Sequence, residues 1–284
     1  IEARENVPMR EYTTLRVGGP ADIFVESNGA EQLAFALRIA KENALETLIV
    51  GNGSNLLVRD AGFRGMAVHI GERMGGVTVR NECVCAGAGA ALTAAALAAQ
   101  RAGLSGMEPL SGIPGTCGGA VYMNAGAYGG EMKDIVISSR CMDENGVISE
   151  VTEHNFGYRT SVYKDSGRII LSAKFRLAPG NADEIGAKML DFAKRRSDKQ
   201  PLEYPSAGSV FKRCQGHFTG QMIEELGLKG YTVGGAQISE KHAGFIINKG
   251  GASSEDVLKL IAFIQKKVHD GYGLDLECEV IHIK

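Results

Sequence analysis

The chain has 284 residues, of which 44% are apolar and 23% charged, and its formal net charge at pH 7 is −2. These values are ordinary for a globular protein, and the length suggests about two domains. The near-neutral balance argues against a nucleic-acid-binding surface, and no apolar run approaches the roughly 20 residues of a membrane-spanning helix. We therefore expect neither nucleic acid nor membrane as a partner, and the sequence does not predict an oligomer.

The six cysteines and six histidines are dispersed along the chain, without C-x-x-C or H-E-x-x-H spacing. Such a distribution favours structural thiols in a reducing cytoplasm over a disulfide framework, and it predicts no metal site. The chain begins with Ile1 rather than Met, so we expect that a leader or a few residues were removed. What remains shows no signal-peptide pattern.

The N-terminal quarter predicts an α/β unit. A short strand over 22–26 precedes a helix over 28–43, for which Ser27 or Asn28 could be the N-cap, and a buried strand follows over 47–50. That strand leads directly into a loop of small and polar residues, Gly51, Asn52, Gly53, Ser54, Asn55 and Leu56. Its successive amides could hold a phosphate in an anion nest, or the loop could be a plain turn.

Two common nucleotide-binding motifs are absent from the sequence. No G-x-G-x-x-G follows a predicted strand, and no G-x-x-x-x-G-K-[ST] occurs. The sequence therefore supports neither a Rossmann domain nor a P-loop nucleotidase.

The middle of the chain predicts strands interrupted by a helix. Residues 63–86 alternate and are rich in valine, which favours two or three strands, and an alanine-rich helix over 90–102 ends at Gly103. Further strands are predicted near 135–142, 147–151 and 168–177, and a helix over 182–198 follows them.

Residues 111–130 stand out because glycine is frequent and charge is absent between Ser111 and Gly130. Glycine is needed where a backbone turns through positive φ or approaches another group closely. The segment therefore indicates either a cofactor platform or a glycine-rich turn region that packs two sheets together.

The C-terminal part begins after Pro201–Pro205 and predicts another mixed domain. We expect a strand over 208–212, helices near 219–226 and 254–269, and strands near 231–233 and 244–248. Ser253 with Asp256 is typical of a capping box. A last strand over 276–283 would place Glu277 and Glu279 on one face.

Three side chains could carry chemistry. Arg159 follows Tyr158 between two predicted strands and could bind a carboxylate or phosphate, or form a surface ion pair. Ser209 has no G-x-S-x-G elbow, so it suits proton donation better than nucleophilic attack, although this segment taken alone favours a turn serine. Glu279 is either a carboxylate among apolar neighbours or a solvated residue on an edge strand.

Taken in order, these segments resemble the UDP-N-acetylenolpyruvoylglucosamine reductases (MurB), flavoenzymes of bacterial cell-wall synthesis. The resemblance covers nearly the whole chain and rests on seven segments: Thr13–Gly19, Val50–Val58, Ser111–Glu131, Phe156–Lys164, Pro205–Arg213, Gly234–Lys249 and Leu276–Ile281. The short interval between Arg159 and Ser209 is similar to the family's shorter form, which lacks an inserted tyrosine-bearing loop. Cys278 and the Cys214-Gln215 pair depart from the usual family residues, which puts the local backbone in question but not the chemistry.

The resemblance implies an α+β fold with a two-subdomain FAD-binding body of the vanillyl-alcohol-oxidase (PCMH) type and a C-terminal α/β substrate domain. We accordingly predict a body over 1–180, with subdomains of about 1–60 and 61–180, and a connecting helix over 181–200. The substrate domain would occupy 201–284, with the last strand, 276–283, packing back towards the flavin site.

The resemblance also implies the activity and its site. NADPH would reduce FAD, which would reduce the enolpyruvyl ether of a UDP-sugar in the bacterial cytoplasm, with Arg159, Ser209 and Glu279 as catalytic residues. The implied FAD-binding residues are Gly51, Asn52, Gly53, Ser54, Asn55, Leu56, Ser111, Gly112, Ile113, Pro114, Gly115, Thr116, Gly118, Gly119, Asn124 and Gly126. The implied substrate-binding residues are Tyr128, Tyr158, Lys212, Arg213, Tyr231, Gln237 and His242.

Two other functions stay open at this point. A flavin oxidase of the same fold would use O₂ and would need a pocket without phosphate-binding cations, which the 205–249 segment argues against. A non-catalytic nucleotide-binding regulator would be expected to lack one of Arg159, Ser209 and Glu279, whereas all three are present.

Overall fold

The computed structural model describes residues 1–214 and 216–284, so Gln215, one of the two residues that depart from the family pattern at 214–215, lies outside the described residues. The chain divides into two compact units. The first unit consists of Ile1–Arg4, Ile23–Asn52 and Gly65–Arg196, and the second of Glu5–Asp22, Gly53–Arg64 and Ser197–Lys284. Neither unit is continuous in sequence, and the domain limits given above stay a prediction.

Apart from α3 (Cys117–Tyr122), which was not predicted, the α-helices lie close to their predicted positions. In chain order they are α1 Ala30–Glu42, α2 Leu92–Arg101, α3 Cys117–Tyr122, α4 Ala182–Lys199, α5 Thr219–Glu225 and α6 Ser254–Tyr272. The predicted N-cap of α1 is wrong, because Gly29 occupies that position without a side-chain cap. The prediction for α6 is confirmed, since Ser253 and Asp256 form a capping box. Gly103, at φ 66°, follows the C-cap of α2 as predicted.

The strands are more numerous and shorter than the sequence pattern suggested. In chain order they are β1 Ala3–Pro8, β2 Pro20–Glu26, β3 Thr47–Val50, β4 Leu56–Val58, β5 Phe63–His69, β6 Val77–Arg80, β7 Cys83–Gly87, β8 Leu104–Ser105, β9 Gly126–Ala127, β10 Gly130–Glu131, β11 Val136–Met142, β12 Ile148–Val151, β13 Ile169–Arg176, β14 Ala178–Pro179, β15 Ser206–Ser209, β16 Thr232–Val233, β17 Ala236–Ile238, β18 Phe245–Asn248 and β19 Ile281–Ile283.

The first unit contains an antiparallel sheet with strand order β12-β11-β13-β7-β6. Its β7 and β13 pair from Ser172↔Gly87 to Arg176↔Cys83. This sheet confirms the strands predicted within 63–86 and near 135–142, 147–151 and 168–177. A second sheet has the order β1-β2-β5-β3, in which β3 and β5 run parallel.

Helices α2 and α3 pack against the five-stranded sheet and close the core of the first unit. The buried face of α2 consists of Leu92, Ala95, Ala96 and Ala99, and small side chains allow the helix to approach its neighbours closely. Helix α3 lies within the glycine-rich segment, and the sequence did not predict it. This core fixes the position of residues 111–126.

The second unit contains the antiparallel sheet β15-β18-β17-β16, against which α6 packs. Apolar residues of α6 at three- and four-residue spacing, from Val257 to Val268, are buried there. A separate parallel pair joins β19 to β4, with Leu56 opposite Ile281.

Two strand predictions in the second unit are wrong in extent. The last strand covers only Ile281–Ile283, because only these residues find a ladder partner in β4. The strand expected over 208–212 is shifted to Ser206–Ser209, where β18 is its partner. The prediction that 276–283 forms one strand with Glu277 and Glu279 on a single face therefore fails.

Over residues 1–214 and 216–284, no helix is long and apolar enough to cross a bilayer. The same residues contain no group of three or more His, Cys, Asp and Glu side chains arranged to hold a metal ion. The six cysteines are free thiols.

Candidate functional site

The glycine-rich segment turns sharply at Thr116, which is the N-cap of α3. Its hydroxyl accepts a hydrogen bond from Gly119 N at 3.2 Å. Cys117 N and Gly118 N donate to Ala90 O and Ala88 O, at 2.7 and 2.9 Å. A Cβ at Gly118 would lie 2.8 Å from the Ala88 side chain, so the close approach requires glycine.

Residues Gly51 and Asn52, at the end of β3, lie against this segment within the first unit. The Asn52 side-chain amide donates to Pro114 O at 3.3 Å. A Cβ at Gly51 would lie 2.6 Å from the Thr116 hydroxyl oxygen. The structure therefore brings together two parts of the predicted cofactor-binding set that are more than sixty residues apart in sequence.

The backbone here presents donors that the protein itself does not use. Within residues 1–214 and 216–284, the amides of Gly51, Asn52, Gly112 and Gly115 donate to no carbonyl or side chain. Unpaired amides beside close-packed glycines are the donor set that binds phosphate groups. This donor set fits the diphosphate of a dinucleotide such as FAD.

The side chains of the glycine-rich segment are mostly used inside the protein. The Ser111 hydroxyl donates to Glu108 O at 2.8 Å, and Ser111 is 7% exposed. Asn124 is only 1% exposed, and its amide is hydrogen-bonded to protein groups on both sides. The Asn124 side chain therefore has almost no exposed surface, and its assignment to FAD binding stays a prediction.

Burial raises the pKa of the Cys117 thiol to about 12. Cys117 is fully buried at the start of α3, so it packs as an apolar residue beside the glycines. It is inert at neutral pH.

Arg159 lies in a tight turn of the first unit, in which Gly157 and Thr160 exchange backbone hydrogen bonds of 3.1 and 3.4 Å. Arg159 has φ 54°, and its guanidinium donates to Gly126 O at 3.4 Å. Tyr158 precedes it and is 46% exposed. The turn thus places Arg159 beside Gly126 and leaves the Tyr158 ring accessible.

Tyr128 also has a left-handed backbone, with φ 51°. Its ring stacks on Phe192 of α4 with 4.8 Å between centroids, and it stays 40% exposed. Tyr128 therefore lies on the same side of the first unit as α4, fixed in orientation but accessible to a ligand.

Arg196, in the Lys194-Arg195-Arg196 run at the end of α4, was not among the predicted site residues. The side chain is half-buried, and a Cβ at Gly112 would lie 3.7 Å from its Nη1 atom. Burial lowers the pKa of the guanidinium, with the Tyr128 hydroxyl opposing the shift, yet arginine stays charged at physiological pH. Among the described residues no carboxylate pairs with Arg196.

A half-buried cation without a counter-ion is costly unless a ligand supplies the negative charge. Arg196 adjoins Gly112, whose amide is one of the unused donors, so both groups could bind one anion. The signal in the sequence was the i, i+4 relation of Phe192 to Arg196, which puts Arg196 on the buried stripe of α4 and Arg195 off it.

In the second unit, a short antiparallel ladder holds the two remaining catalytic candidates. Ser209 ends β15 and is exposed, and the next residue, Val210, accepts a hydrogen bond from Glu279 N at 2.8 Å. Phe211 and Cys278 form an isolated bridge beside this bond. The ladder therefore brings the Ser209 and Glu279 backbones together although seventy residues separate them in sequence.

Asn55 fixes the Glu279 segment from the other side. Its side-chain amide donates to Glu279 O at 3.0 Å, and its own carbonyl accepts from Ile281 N at 2.9 Å. Gly53, at φ 57°, makes this possible, since a Cβ there would lie 2.1 Å from Tyr12 O. Ser54 and Leu56 flank Asn55 and are half-buried.

The predicted substrate-binding residues of the second unit differ in how they are held. Lys212 forms an ion pair with Glu277, and Arg213 lies over the Phe218 ring. Tyr231 stacks on Phe263 at 4.2 Å and is 45% exposed. These residues present charge and an aromatic ring at the surface of the unit.

Gln237 and His242 are committed to contacts inside the second unit. Gln237 donates to Gly230 O at 3.2 Å. His242 Nδ1 accepts from Gly244 N at 3.1 Å, and burial lowers the pKa of the ring. The His242 ring is therefore neutral and packs between Gly220 and Gly244.

A separate open cleft of about 540 Å³ in the second unit is lined by Arg10, Arg16, Tyr204 and Lys249. It contains none of the predicted site residues, and Lys249 there is engaged with the Tyr204 hydroxyl at 3.0 Å.

Comparison with known proteins agrees with this arrangement. Residues 21–152 match the FAD binding domain family, and residues 200–283 match the family described as the C-terminal domain of UDP-N-acetylenolpyruvoylglucosamine reductase. These matches and the relatives confirm the predicted FAD-binding body, the C-terminal substrate domain and FAD as the cofactor.

Curated relatives match over almost the whole chain. The UDP-N-acetylenolpyruvoylglucosamine reductase of Clostridioides difficile is 49% identical, over 96% of this chain and 90% of that protein. The one from Syntrophomonas wolfei is 46% identical, over 97% and 93%. The crystal structure of the Thermus caldophilus reductase matches with a TM-score of 0.86 and 37% identity, covering 100% of both chains.

Proposed function

The chain belongs to the UDP-N-acetylenolpyruvoylglucosamine reductase family of FAD-dependent oxidoreductases, and from this we propose that it uses NADPH to convert enolpyruvyl-UDP-N-acetylglucosamine to UDP-N-acetylmuramate. The product is a precursor of peptidoglycan, and we place the reaction in the bacterial cytoplasm, where UDP-sugars are made and used.

FAD, when bound, supplies the redox chemistry by taking hydride from NADPH and giving it to C3 of the enolpyruvyl double bond. The residues that would hold it are the unused amides at Gly51, Asn52, Gly112 and Gly115, with Arg196 as a counter-charge. Their fit is supported by the glycines, which leave no Cβ between the backbone and a ligand.

The proton that completes the reduction goes to C2 of the substrate. Ser209 is exposed at the end of β15, and we assign it as the donor. Hydride at C3 and a proton at C2 together convert the vinyl ether to the lactyl ether, so atoms and charge balance.

Negative charge develops on the substrate carboxylate as hydride arrives at C3. Arg159 would stabilise it through its permanent positive charge, and we assign Glu279 to the same step. The observation that carries this assignment is the short ladder that fixes the Glu279 backbone next to the residue following Ser209.

The exposed side chains of the second unit would bind the sugar nucleotide. Lys212 and Arg213 supply positive charge for its diphosphate, and Tyr231 offers an aromatic face. In the first unit, Tyr128 and Tyr158 are accessible and could contact the same ligand. Gln237 and His242 are weaker candidates for binding the sugar nucleotide, because their side chains already form hydrogen bonds inside the second unit.

Two half-reactions can be measured separately: reduction of the flavin by NADPH and its reoxidation by the sugar nucleotide. Only the second should depend on Ser209. Ser209→Ala should still let NADPH bleach the bound flavin at the wild-type rate. Reoxidation of the reduced flavin by enolpyruvyl-UDP-N-acetylglucosamine, followed anaerobically by stopped-flow absorbance, should slow by about 10²- to 10⁴-fold, the usual contribution of a positioned general acid.

The matched control is Ser206→Ala in the same strand, which should leave both half-reactions unchanged. A Ser209→Ala enzyme with normal reoxidation by the sugar would remove Ser209 as the proton donor. A wild-type flavin that oxygen reoxidises and the sugar nucleotide does not would instead favour an oxidase.

A further inference from the structure

Asn124 adopts a backbone conformation that few side chains tolerate. It follows helix α3 with φ 44°. Asparagine is one of the few residues that occupies this left-handed region readily. The turn of the backbone points its side chain into the first unit, where it is 1% exposed.

Every polar atom of the Asn124 side chain has a partner. Its Nδ2 group donates to Gly157 O at 2.9 Å and to Glu131 Oε2 at 3.0 Å. Its Oδ1 atom accepts from Lys133 N at 2.9 Å. Both amide hydrogens are thus used, and a flipped amide would face two acceptors with its oxygen, so the orientation is fixed.

Glu131 strengthens this arrangement. The hydrogen bond from Lys133 Nζ, at 2.8 Å, and the one from Asn124 lower the pKa of Glu131. An ionised acceptor makes the stronger hydrogen bond, which holds the Asn124 amide in place.

Gly157, the other acceptor of Asn124, is the first residue of the turn that carries Arg159. The Arg159 backbone is itself left-handed, at φ 54°, and such residues persist only where the surroundings hold them. Contacts that hold this turn include the Asn124 bond to Gly157 O and the Arg159 bond to Gly126 O. The Ser161 hydroxyl adds a third, to Tyr122 O at 2.7 Å.

We propose that Asn124 is a positioning residue, which sets the place of the Arg159 guanidinium by holding the carbonyl at which its turn begins. This role rests on the proposed function of Arg159 in the reaction. It gives Asn124 a part in the reduction of the sugar nucleotide and none in binding the cofactor.

Asn124→Asp is the informative substitution. Aspartate keeps the size, the left-handed backbone and the acceptor for Lys133 N, but it cannot donate to Gly157 O or Glu131. Reoxidation of the reduced flavin by enolpyruvyl-UDP-N-acetylglucosamine should slow by about 10²-fold, the effect of a misplaced reacting group, with KM for the sugar little changed. Bleaching by NADPH and the oxidised flavin spectrum should stay as in wild type.

A double variant that exchanges the donor and the acceptor distinguishes a positioning role of Asn124 from a purely stabilising one. In the double variant Asn124→Asp with Glu131→Gln, the side-chain amide introduced at position 131 can donate to the carboxylate introduced at position 124, which restores the bond between these two side chains. The midpoint of thermal unfolding should therefore recover. Gly157 O still lacks the donor that Asn124 supplied and keeps only the 3.4 Å bond from Thr160 N, so reoxidation should stay slow. Lys133→Ala removes the Nζ bond to Glu131 and keeps the main-chain bond to Asn124, so it measures how much of the effect comes from the Glu131 ion pair alone.

The outcomes are distinct. If the double variant regains both stability and reoxidation, or if Asn124→Asp reoxidises like wild type, the positioning role is overturned. If Asn124→Asp does not fold, the double variant alone decides. If the sugar nucleotide fails to reoxidise even the wild-type flavin, the proposed function fails, and this role fails with it.

Discussion

The two units hold their site residues in opposite ways. In the first unit the candidate ligand-binding groups are mostly backbone amides between glycines, while neighbouring polar side chains such as Thr116 and Asn124 are used for internal hydrogen bonds. In the second unit the candidate groups are side chains, and Ser209 and Tyr231 are exposed. A cofactor that stays bound suits a rigid backbone surface, and a substrate that must leave suits accessible side chains.

The largest effect should come from filling the space that glycine leaves in the first unit. Gly51→Ala would put a Cβ 2.6 Å from the Thr116 hydroxyl oxygen, so one of these two segments must shift. We expect a loss of about 1–3 kcal/mol in the free energy of unfolding. FAD affinity, measured by fluorescence titration of the apoprotein, should fall about 10- to 100-fold.

Gly76→Ala is the matched control, because nothing lies within 4 Å of the added Cβ. It should change neither stability nor FAD affinity. Normal FAD binding by Gly51→Ala would contradict the view that the first unit binds its ligand mainly through backbone amides.

The glycine-rich segments were recognisable in the sequence, and in the structure they pack closely against their neighbours. Gly51, Gly118 and Gly112 each meet a close neighbour in the structure, and no other residue type fits Gly53 at its positive φ. Helix α6 was predictable as well, because its capping box and apolar spacing are local features.

What the sequence did not predict depends on tertiary contacts. Helix α3 has two glycines in six residues, which disfavour a helix, and packing against β13 stabilises it. Alternation suggested a strand through Glu279, but only Ile281–Ile283 have a partner in β4. The i, i+4 spacing from Phe192 could have placed Arg196 on the buried stripe of α4, but its proximity to Gly112 is a tertiary contact that the sequence does not reveal.

Two alanine substitutions in the loop after β3 test the difference between the two units, because each removes one side-chain amide. Asn55→Ala removes the 3.0 Å bond to Glu279 O in the second unit, which costs about 1 kcal/mol of stability and should slow reoxidation by the sugar nucleotide about 10-fold. Asn52→Ala removes the bond to Pro114 O in the first unit and should weaken FAD binding instead. Stopped-flow absorbance and FAD titration of both variants would show whether the two effects separate; a single shared effect would contradict the contrast.

Arg196 is the charged side chain of the first unit that we expect to contribute to FAD binding. Arg196→Gln should weaken FAD binding by about 10-fold, the scale of one charge-assisted hydrogen bond, because the guanidinium supplies the counter-charge. The apoprotein should unfold at the same temperature or higher, since a half-buried charge without a partner is removed.

Arg195→Gln is the control for charge alone. Arg195 is exposed and pairs with Asp191 at 2.7 Å, so its loss should change FAD affinity and unfolding very little. An Arg196→Gln apoprotein that unfolds well below wild type, with unchanged FAD affinity, would mean that Arg196 only packs.

The smallest expected effect is on the pH dependence of stability, and it comes from a buried imidazole in the first unit. His154 is 4% exposed, stacks on Phe156 at 4.9 Å and bonds the Ser139 hydroxyl at 3.0 Å. Burial lowers the pKa of His154 below its ordinary value of 6.5. The unfolded chain therefore binds more protons than the folded one below about pH 6.5, so this contribution to stability is complete above that pH and is lost as pH falls.

His154→Gln should reduce the pH dependence of the free energy of unfolding below about pH 6.5, by less than the limit of about 1.4 kcal/mol per pH unit for one proton. Urea denaturation at several pH values measures that slope independently of the stability lost by the substitution itself. The other histidines with lowered pKa, His69, His242 and His282, will keep part of the slope in the variant. A slope identical to wild type would mean that His154 binds the same number of protons in the folded and unfolded chains, which would contradict a lowered pKa.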